Sequence, residues 1–374
     1  MGMTILPKLS KIPPSVASIS DYERLACERL SAQSWAYIAG GAADELTLHA
    51  NCAAFRRLSL RSRVLQDLTG GNTRLELFGQ PFDYPLLLAP VAFQKLAHPD
   101  GERATVLAAS ALKTGMIVST QASVSLEEIA SQATSTLWFQ LYFQHDRGFT
   151  RELVRRAELA GYKAIVVTVD APVSATRNRE QRAGFVLPRE VEAVNLRGLP
   201  GLSAERNNGT VLMGSALIAS APTWTDINWL RSLTSLPILV KGIMSSEDAA
   251  RAITEQVSGI IVSNHGGRVL DSQPSSLGVL PDVARVVEDR IPILMDGGIR
   301  RGSDILKALA LGAKAVLIGR PYIYGLATAG AIGISHVIQI LRAELEEAMV
   351  LTGCRDLAAV DSSILGKTSH ALPL

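Results

Sequence analysis

The chain has 374 residues, of which 47% are hydrophobic and 5% aromatic. Its 37 basic and 35 acidic residues give a formal net charge of +2, so no overall charge attracts it to nucleic acid or to an anionic membrane. The few aromatic residues argue against a surface for stacking bases. Cys27, Cys52 and Cys354 are far apart and form no C-x-x-C, which predicts neither a disulfide framework nor a zinc site and fits a cytoplasmic protein.

The N-terminal 20 residues lack an apolar run of signal-peptide length. We interpret the sequence as having no run of about 18 uncharged apolar residues, and we therefore expect no membrane-spanning helix. The C-terminus, Ala371-Leu372-Pro373-Leu374, is not a peroxisomal ending.

In chain order, residues 1–84 predict a helical preface with a small β element, residues 85–330 a barrel core, and residues 331–374 a closing helix and tail. Short apolar runs alternate with helical patterns from residue 85 onward, which is typical of βα units on a parallel sheet. The predicted strands are Pro85–Ala89, Met116–Ser119, Leu137–Tyr142, Ala164–Val169, Ile238–Lys241, Gly259–Ser263, Ile293–Asp296 and Ala315–Gly319. Eight such units in one chain predict a single α/β domain, a closed (β/α)8 TIM barrel.

The helical patterns between these strands have recognisable starts. They cover Glu102–Thr114, Ser125–Gln132, Thr150–Ala160, Ser246–Thr254, Pro281–Asp289 and Gly302–Leu311, with Ser125, Thr150, Ser246 and Ser303 as predicted capping residues. Between the fourth and fifth strands, residues 180–225 form the longest irregular stretch. This stretch follows the end of a strand, so in a barrel it lies on the active-site face. A loop of this length is either a lid or disordered, and the sequence favours neither.

Polar residues end most of the predicted strands, and in a barrel the carboxyl ends of all strands meet at one rim. A structural protein has no reason to gather such groups there, so the set predicts an active site. The residues are Ser119, Gln140, Tyr142, Thr168, Asp170, Lys241, Ser263, His265, Asp296 and Arg320.

Two glycine-containing segments predict a phosphate site. Asp296-Gly297-Gly298-Ile299-Arg300-Arg301-Gly302 follows the seventh strand, and Ile318-Gly319-Arg320-Pro321 follows the eighth. Glycines let backbone N–H groups approach an anion, and arginines add charged hydrogen bonds. Barrels often bind phosphate at these two loops.

The segment Ser263-Asn264-His265-Gly266-Gly267-Arg268 predicts a base beside an anion-binding group. His265 suits proton abstraction near neutral pH, and Asp170 could orient it. Arg268, with Arg177, could bind a carboxylate. Lys241 leaves three uses open: reaching out to solvent, stabilising an electron-rich ring, or forming a Schiff base.

These motifs, with Tyr37 near Gly40-Gly41, Ala89-Pro90-Val91-Ala92, Phe139-Gln140-Leu141-Tyr142 and Thr168-Val169-Asp170-Ala171-Pro172, resemble the FMN-dependent L-2-hydroxy acid oxidases and dehydrogenases. The resemblance runs from about Ser20 to Asp361. It implies FMN as cofactor, a small 2-hydroxy acid as substrate, O2 as the acceptor that yields H2O2, and a homotetramer. It implies that His265 is the base, paired with Asp170, and that Tyr37, Arg177 and Arg268 bind the substrate carboxylate. Tyr142 would bond the substrate oxygen, and Lys241 would stabilise the reduced flavin ring.

The same resemblance implies the residues that hold the cofactor. The ring and ribityl chain would be bound by Ala92, Ser119, Gln140, Thr168, Ser263 and Asp296, and the phosphate by Gly298, Arg300, Gly319 and Arg320.

Two positions depart from glycolate oxidase, a member of this family. Gln121 stands where that enzyme has a tryptophan, and Ser174 replaces a bulkier apolar residue. These changes predict a roomier or more polar pocket, and therefore L-lactate or a longer substrate rather than glycolate. A soluble dehydrogenase that acts on mandelate or a longer substrate with another acceptor is the alternative.

Other classes fit less well. Inosine monophosphate dehydrogenase needs a catalytic cysteine, and none of the three cysteines follows a barrel strand. Type 2 isopentenyl diphosphate isomerase is a further FMN barrel. A barrel that only binds a ligand would be expected to lack the base or one of the arginines.

Overall fold

The computed structural model describes residues 5–199, 213, 215, 218 and 220–366. The chain opens with three helices: α1 (Ile19–Arg29), α2 (Ala32–Ala39) and α3 (Leu46–Arg57). Ser18 begins α1 with a capping box in which its side chain and that of Asp21 satisfy free backbone N–H groups. Helix α1 packs on the last helix of the chain, where the buried Tyr22 hydroxyl lies 2.8 Å from His336 Nδ1.

A hairpin closes the amino-terminal end of the barrel. Its strands, β1 (Leu75–Leu77) and β2 (Gln80–Phe82), are antiparallel and joined by Phe78 and Gly79, both with positive φ. Phe78 and Phe82 pack edge-on against Trp138, with ring centroids 5.5 and 6.2 Å apart. Trp138 lies at the start of its strand, so these aromatic rings fill the end of the barrel away from the predicted site.

Eight parallel strands form a closed barrel, which confirms the predicted fold. They are β3 (Leu86–Leu88), β4 (Gly115–Ser119), β5 (Leu137–Leu141), β6 (Ile165–Thr168), β7 (Ile238–Ile243), β8 (Gly259–Val262), β9 (Ile293–Asp296) and β10 (Ala315–Ile318), with β10 paired to β3. The predicted strands differ from these by at most two residues at either end, and Ile293–Asp296 has the same bounds in both. Alternate residues such as Ile117, Val166 and Ile261 fill the barrel interior, while their neighbours pack against the helices.

The helices are α4 (Glu102–Ala111), α5 (Leu126–Gln132), α6 (Arg147–Leu159), α7 (Asn178–Arg182), α8 (Trp224–Arg231), α9 (Ser246–Thr254), α10 (Ser276–Val287), α11 (Gly302–Ala310) and α12 (Arg320–Thr352). Short 3-10 turns cover Gln94–Leu96, Val194–Leu196, Leu357–Ala359 and Ser362–Ile364.

The predicted starts of two helices, α6 and α10, and the predicted caps of two others, α9 and α11, were wrong. Helix α6 begins after Asp146, whose carboxylate accepts hydrogen bonds from Gly148 N and Phe149 N, and the Thr150 hydroxyl instead accepts one from Gln144 N at 2.9 Å. Helix α10 begins after Ser275 and contains Pro281 within it. The caps of α9 and α11 are Ser245 and Arg301, not Ser246 and Ser303. Of the predicted caps, Ser125 is confirmed.

Helix α12 corrects the expectation about long apolar runs, because residues 321–341 contain no Asp, Glu, Lys or Arg. By length and composition the helix could cross a membrane, but 67% of its most apolar window is buried inside the structure. The backbone leaves helical geometry at Ala329 and Gly330, which divides α12 into two parts. Tyr322, Ile334 and Val337 are buried against the rest of the protein, so the helix packs as core.

The irregular segment after β6 is described up to residue 199. Phe185 and Val191 are buried, and Val194 N donates to Ala122 O at 3.1 Å, so this first half packs on the barrel rim. The stretch 180–225, for which the sequence left a lid and disorder open, also covers residues 200–212, 214, 216, 217 and 219, which lie outside the described residues.

Candidate active site

A cavity lies at the carboxyl end of the barrel, lined by residues from all eight strand ends. All but three of the predicted site residues line it. These are Tyr37, Ala92, Ser119, Gln121, Gln140, Tyr142, Thr168, Arg177, Lys241, His265, Arg268, Asp296, Gly298, Arg300, Gly319 and Arg320. The three exceptions are Asp170, Ser263 and Ser174.

The turn after β8 presents His265 to the cavity. His265, Gly266 and Gly267 have φ values of 57, 64 and 73°, three successive residues in the left-handed region that favours glycine. A Cβ on Gly267 would lie 2.5 Å from Leu48 N. Gly267 is therefore required to pass the chain beside α3, and His265 alone carries a side chain in this strained turn.

The His265 ring is held by a buried carboxylate. Its Nδ1 lies 2.9 Å from Asp170 Oδ1, and Asp170 follows β6 directly behind the cavity wall. Burial raises the pKa of Asp170, but the charge and hydrogen bond of His265, with the charge of Lys241, hold it below its usual value. Asp170 is therefore ionised at neutral pH. Since Nδ1 faces Asp170, Nε2 is the nitrogen left to meet a substrate.

Two guanidinium groups, of Arg177 and Arg268, line the cavity with His265. Arg268 Nη1 donates to Tyr37 O at 2.7 Å and to Gly40 O at 2.8 Å, and its guanidinium lies 5.1 Å from the Tyr37 ring centroid. Burial and repulsion from Arg177 lower the pKa of Arg268 to about 9, so it stays charged at neutral pH. The arrangement suits a ligand carboxylate.

A lysine, a serine and an aspartate form a buried chain at the centre of the site. Lys241 Nζ lies 2.9 Å from Asp296 Oδ2 and donates to Ser263 Oγ at 2.8 Å, and Ser263 Oγ donates to Asp296 Oδ1 at 2.5 Å. Burial lowers the pKa of Lys241, but the Asp296 and Asp170 carboxylates raise it above its usual value. Lys241 is thus a fixed cation, which disfavours the Schiff-base use because that chemistry needs a neutral amine.

The loops after β9 and β10 bring groups to the cavity that suit an anion. Gly319 stands at the N-cap of α12, so free backbone N–H groups and the positive end of the helix dipole lie there. Arg300, which lines the same cavity, follows β9. Arg320 donates to the carbonyls of Ile38, Gly40 and Gly266, and burial is the main cause that lowers its pKa.

Gly298 also lines the cavity, and glycine is required at this position for a steric reason. Its φ is +88°, and a Cβ there would lie 2.3 Å from Asn51 O. Only glycine lets the turn after β9 pass this close to α3.

The cavity wall also offers hydrogen-bond donors. Ser119 Oγ donates to Gln140 Oε1 at 3.2 Å, while Gln140 Nε2 is buried and has no partner among the described residues. Thr168 and Ala92 line the same stretch. An unpaired buried amide is costly unless a ligand accepts from it. A ring with carbonyl and nitrogen acceptors, joined to a phosphate, meets these requirements, so the residues fit FMN.

Tyr142 and Gln121 line the mouth of the cavity, but Ser174 does not. Burial is the main cause that raises the pKa of Tyr142, which keeps its phenol neutral and able to donate a hydrogen bond. Gln121 is half-buried, and its N–H donates to Ser119 Oγ at 3.1 Å. Ser174 is exposed and lies away from the cavity lining, so the structure does not bring it to the predicted pocket.

Sequence reasoning missed residues that stand behind the cavity wall. Glu180 is buried and its Oε1 lies 2.9 Å from Arg177 Nη1 and 3.5 Å from Arg268 Nη2. Asn51 and Asn264 exchange two side-chain hydrogen bonds of 2.8 and 2.9 Å, which tie the His265 turn to α3. Asn264 was inside a predicted motif, but Glu180 and Asn51 follow no strand and carried no signal.

Comparison with known proteins places the chain in a family. The profile of the FMN-dependent dehydrogenases matches residues 26–367. The chain is 48% identical to an L-lactate oxidase of Nostoc sp. over 358 residues, covering 94% of this chain and 98% of that protein. It is 45% identical to a peroxisomal (S)-2-hydroxyacid oxidase of Arabidopsis thaliana, over 91% of this chain and 93% of that one.

Solved structures agree in fold. A mandelate oxidase crystallised with 3,3-difluoro-2-hydroxy-3-phenylpropionic acid superimposes with a TM-score of 0.85 at 40% identity. The match covers 94% of this chain and 98% of that one.

Proposed function

Because this chain belongs to the FMN-dependent dehydrogenase family and is an FMN-dependent 2-hydroxy acid oxidase within it, we propose that its substrate is L-lactate, oxidised to pyruvate with O2 as acceptor. One observation carries the proposal: His265, paired with Asp170 behind the cavity wall, lines the same cavity as Arg177 and Arg268. A base and a carboxylate-binding pair are the two elements that oxidation of a 2-hydroxy acid requires.

In this proposal Arg177 and Arg268 bind the substrate carboxylate, with the Tyr37 ring beside Arg268. Two guanidiniums fix the orientation of a planar carboxylate, so the 2-hydroxyl and the Cα–H are directed to the same face each time. The neutral Tyr142 phenol donates to the substrate oxygen.

His265 accepts, at Nε2, a proton that the substrate loses. The ring becomes a cation 2.9 Å from Asp170, and the ionised carboxylate stabilises that charge. FMN supplies the two-electron acceptor, and with O2 as the final acceptor hydrogen peroxide is the second product. Lys241, held as a cation by Asp296, would stabilise negative charge on the flavin ring.

The cofactor is held, in the same proposal, by residues from the strand ends. Gln140 Nε2, Ser119 and Thr168 donate to the ring, and Ala92 leaves room for it. Gly298, Gly319, Arg300 and Arg320 bind the phosphate at the start of α12, and Asp296 bonds the ribityl chain. Ser263 has its hydroxyl between Lys241 and Asp296, so we assign it an indirect role through those two residues.

The test is a spectrum of the purified holoenzyme. We expect a yellow protein whose flavin absorbance is bleached anaerobically by L-lactate and not by D-lactate, and which forms hydrogen peroxide in air. Reduction of a dye under argon without peroxide in air would instead identify a dehydrogenase with another acceptor.

An aromatic or longer 2-hydroxy acid is the second candidate, supported by the similarity to mandelate oxidase and by Gln121 at the cavity mouth. Comparing kcat/KM for glycolate, L-lactate, 2-hydroxyoctanoate and mandelate separates the candidates. A clear preference for glycolate contradicts both. A homotetramer in the cytoplasm is also proposed, on the resemblance alone, and light scattering of the holoenzyme tests the assembly.

A further inference from the structure

We propose that Glu180 is a positioning residue for substrate recognition: its carboxylate aligns the guanidinium of Arg177 beside that of Arg268. The inference rests on the proposed function, in which those two arginines bind the substrate carboxylate. Glu180 lies on α7, which follows the fourth barrel strand. In this proposal it contributes to substrate affinity without contacting the substrate.

The geometry places Glu180 behind both arginines. Its Oε1 lies 2.9 Å from Arg177 Nη1 and 3.5 Å from Arg268 Nη2, so one oxygen faces two cations. Glu180 is only 6% exposed, and it does not line the cavity although both arginines do. The carboxylate is therefore not a competitor in the substrate's own position.

The two arginines depend on Glu180 to different degrees. Arg268 is also fixed by the carbonyls of Tyr37 and Gly40. Among the residues that the structure describes, the Arg177 guanidinium has Glu180 as its single ion-pair partner. Loss of the carboxylate would therefore release Arg177 and leave Arg268 largely in place.

Charge gives a second reason for a carboxylate at this position. Arg177 is one of the causes that lower the pKa of Arg268, so the two guanidiniums repel each other in a buried setting, while Glu180 acts in the opposite direction. Glu180 therefore offsets part of the repulsion between the two guanidiniums. Without this carboxylate that part of the repulsion would no longer be offset, which favours displacement of the less restrained arginine, Arg177.

Helix α7 holds Glu180 firmly enough for this role. Arg179 pairs with Glu45, and Asn178 Nδ2 donates to Asp44 Oδ1 at 3.3 Å, which ties α7 to the segment before α3. Glu180 O accepts from Phe185 N at 2.9 Å, and Phe185 stacks on Tyr37 with centroids 4.8 Å apart. The same short helix thus supports Arg177, Arg268 and Tyr37 together.

The experiment compares holoenzyme variants Glu180→Gln, Glu180→Ala and Glu180→Asp. Glu190→Gln is the charge control, since Glu190 is exposed on the same segment, and Glu45→Gln loosens the anchor of α7 while keeping Glu180. The measurements are KM and kcat for L-lactate, the Kd of the non-oxidisable oxalate from the change in flavin absorbance, and the FMN content of each variant.

We expect Glu180→Gln and Glu180→Ala to raise KM for L-lactate and Kd for oxalate by about tenfold to a hundredfold, the usual effect of losing a hydrogen bond to a charged group. The kcat value and the FMN content should change much less, and Glu180→Asp should fall between wild type and Glu180→Gln. Glu190→Gln should behave as wild type.

The inference would be overturned if Glu180→Gln bound oxalate as tightly as wild type or more tightly. An equal loss of oxalate affinity in Glu45→Gln would also overturn it, because the role of Glu180 would then be reduced to anchoring α7. A variant that loses FMN and kcat together with affinity also contradicts it, because that pattern indicates a general structural role. The oxalate titration needs no turnover, so it tests Glu180 even if wild-type enzyme fails to oxidise any 2-hydroxy acid and the proposed function falls.

Discussion

Replacing Asp170 by asparagine isolates the charge that faces His265. Asp170 Oδ1 lies 2.9 Å from His265 Nδ1, while Oδ2 is buried without a partner among the described residues. An asparagine can keep its oxygen toward Nδ1–H and turn its amide to the unpartnered side. The hydrogen bond is then retained and the negative charge is lost.

The magnitude follows from the distance between the charges. A cationic imidazole and a carboxylate with centres about 4 Å apart interact by about 4 kcal/mol at an effective dielectric of about 20. This stabilisation exists only after His265 takes up a proton, so its loss raises the barrier rather than weakening substrate binding. We expect Asp170→Asn to slow the chemical step by about 10³-fold, with KM for L-lactate changed far less.

The assay is anaerobic stopped-flow bleaching of the flavin by L-lactate, with the bound FMN quantified in every variant. Asp282→Asn is the matched control, since Asp282 is exposed and pairs with the neighbouring Arg285 on α10. A rate within about tenfold of wild type would refute the reasoning, because it would mean that the Asp170 charge contributes little to the step.

Further predictions follow from the same geometry. His265→Gln should abolish flavin reduction by substrate while FMN stays bound, and unchanged reduction would refute its role as the base. Lys241→Met should lower the free energy of unfolding by about 3–5 kcal/mol in urea titrations, because it leaves the Asp296 carboxylate buried and unpaired, whereas adding Asp296→Asn should recover part of the loss. The pKa of Asp170 is lowered in the folded protein, so its charge stabilises the fold at neutral pH, and this contribution is lost as the pH falls below about 4. As the pH is lowered through this range, the urea midpoint of unfolding should therefore fall more steeply for wild type than for Asp170→Asn. Gln121→Trp should shift kcat/KM toward glycolate, and an unchanged ratio to L-lactate would contradict a role in selecting substrate.

The barrel was predictable because each strand is a short apolar run, and most of these runs end at or next to a polar residue, as in Ile293–Asp296. A parallel sheet buried on both faces imposes that pattern, so the order of strands and the rim residues follow together. Helix starts were less predictable, because several side chains near a boundary can accept the same free N–H group. Asp146 and Thr150 both stand near the start of α6, and the structure uses Asp146 as the cap.

The residues that lie behind the cavity wall could not be predicted from the sequence, for a different physical reason. Residues that touch a ligand sit at strand ends and in glycine turns, where local pattern marks them. Residues that hold those groups in place, such as Glu180 and Asn51, need only be near them in space, and they lie on the helices outside the barrel.

Ser174 is a predicted pocket residue that is absent from the cavity lining. It is three residues from Arg177, but the segment between them has no regular secondary structure, so nearness in sequence does not bring the two side chains together. Glu180 is also three residues from Arg177, but α7 begins between them and brings residues three apart together on one side. The start of α7 after Arg177 therefore decides which neighbour supports this arginine, and it directs the search for specificity away from Ser174 and toward Glu180 and Gln121.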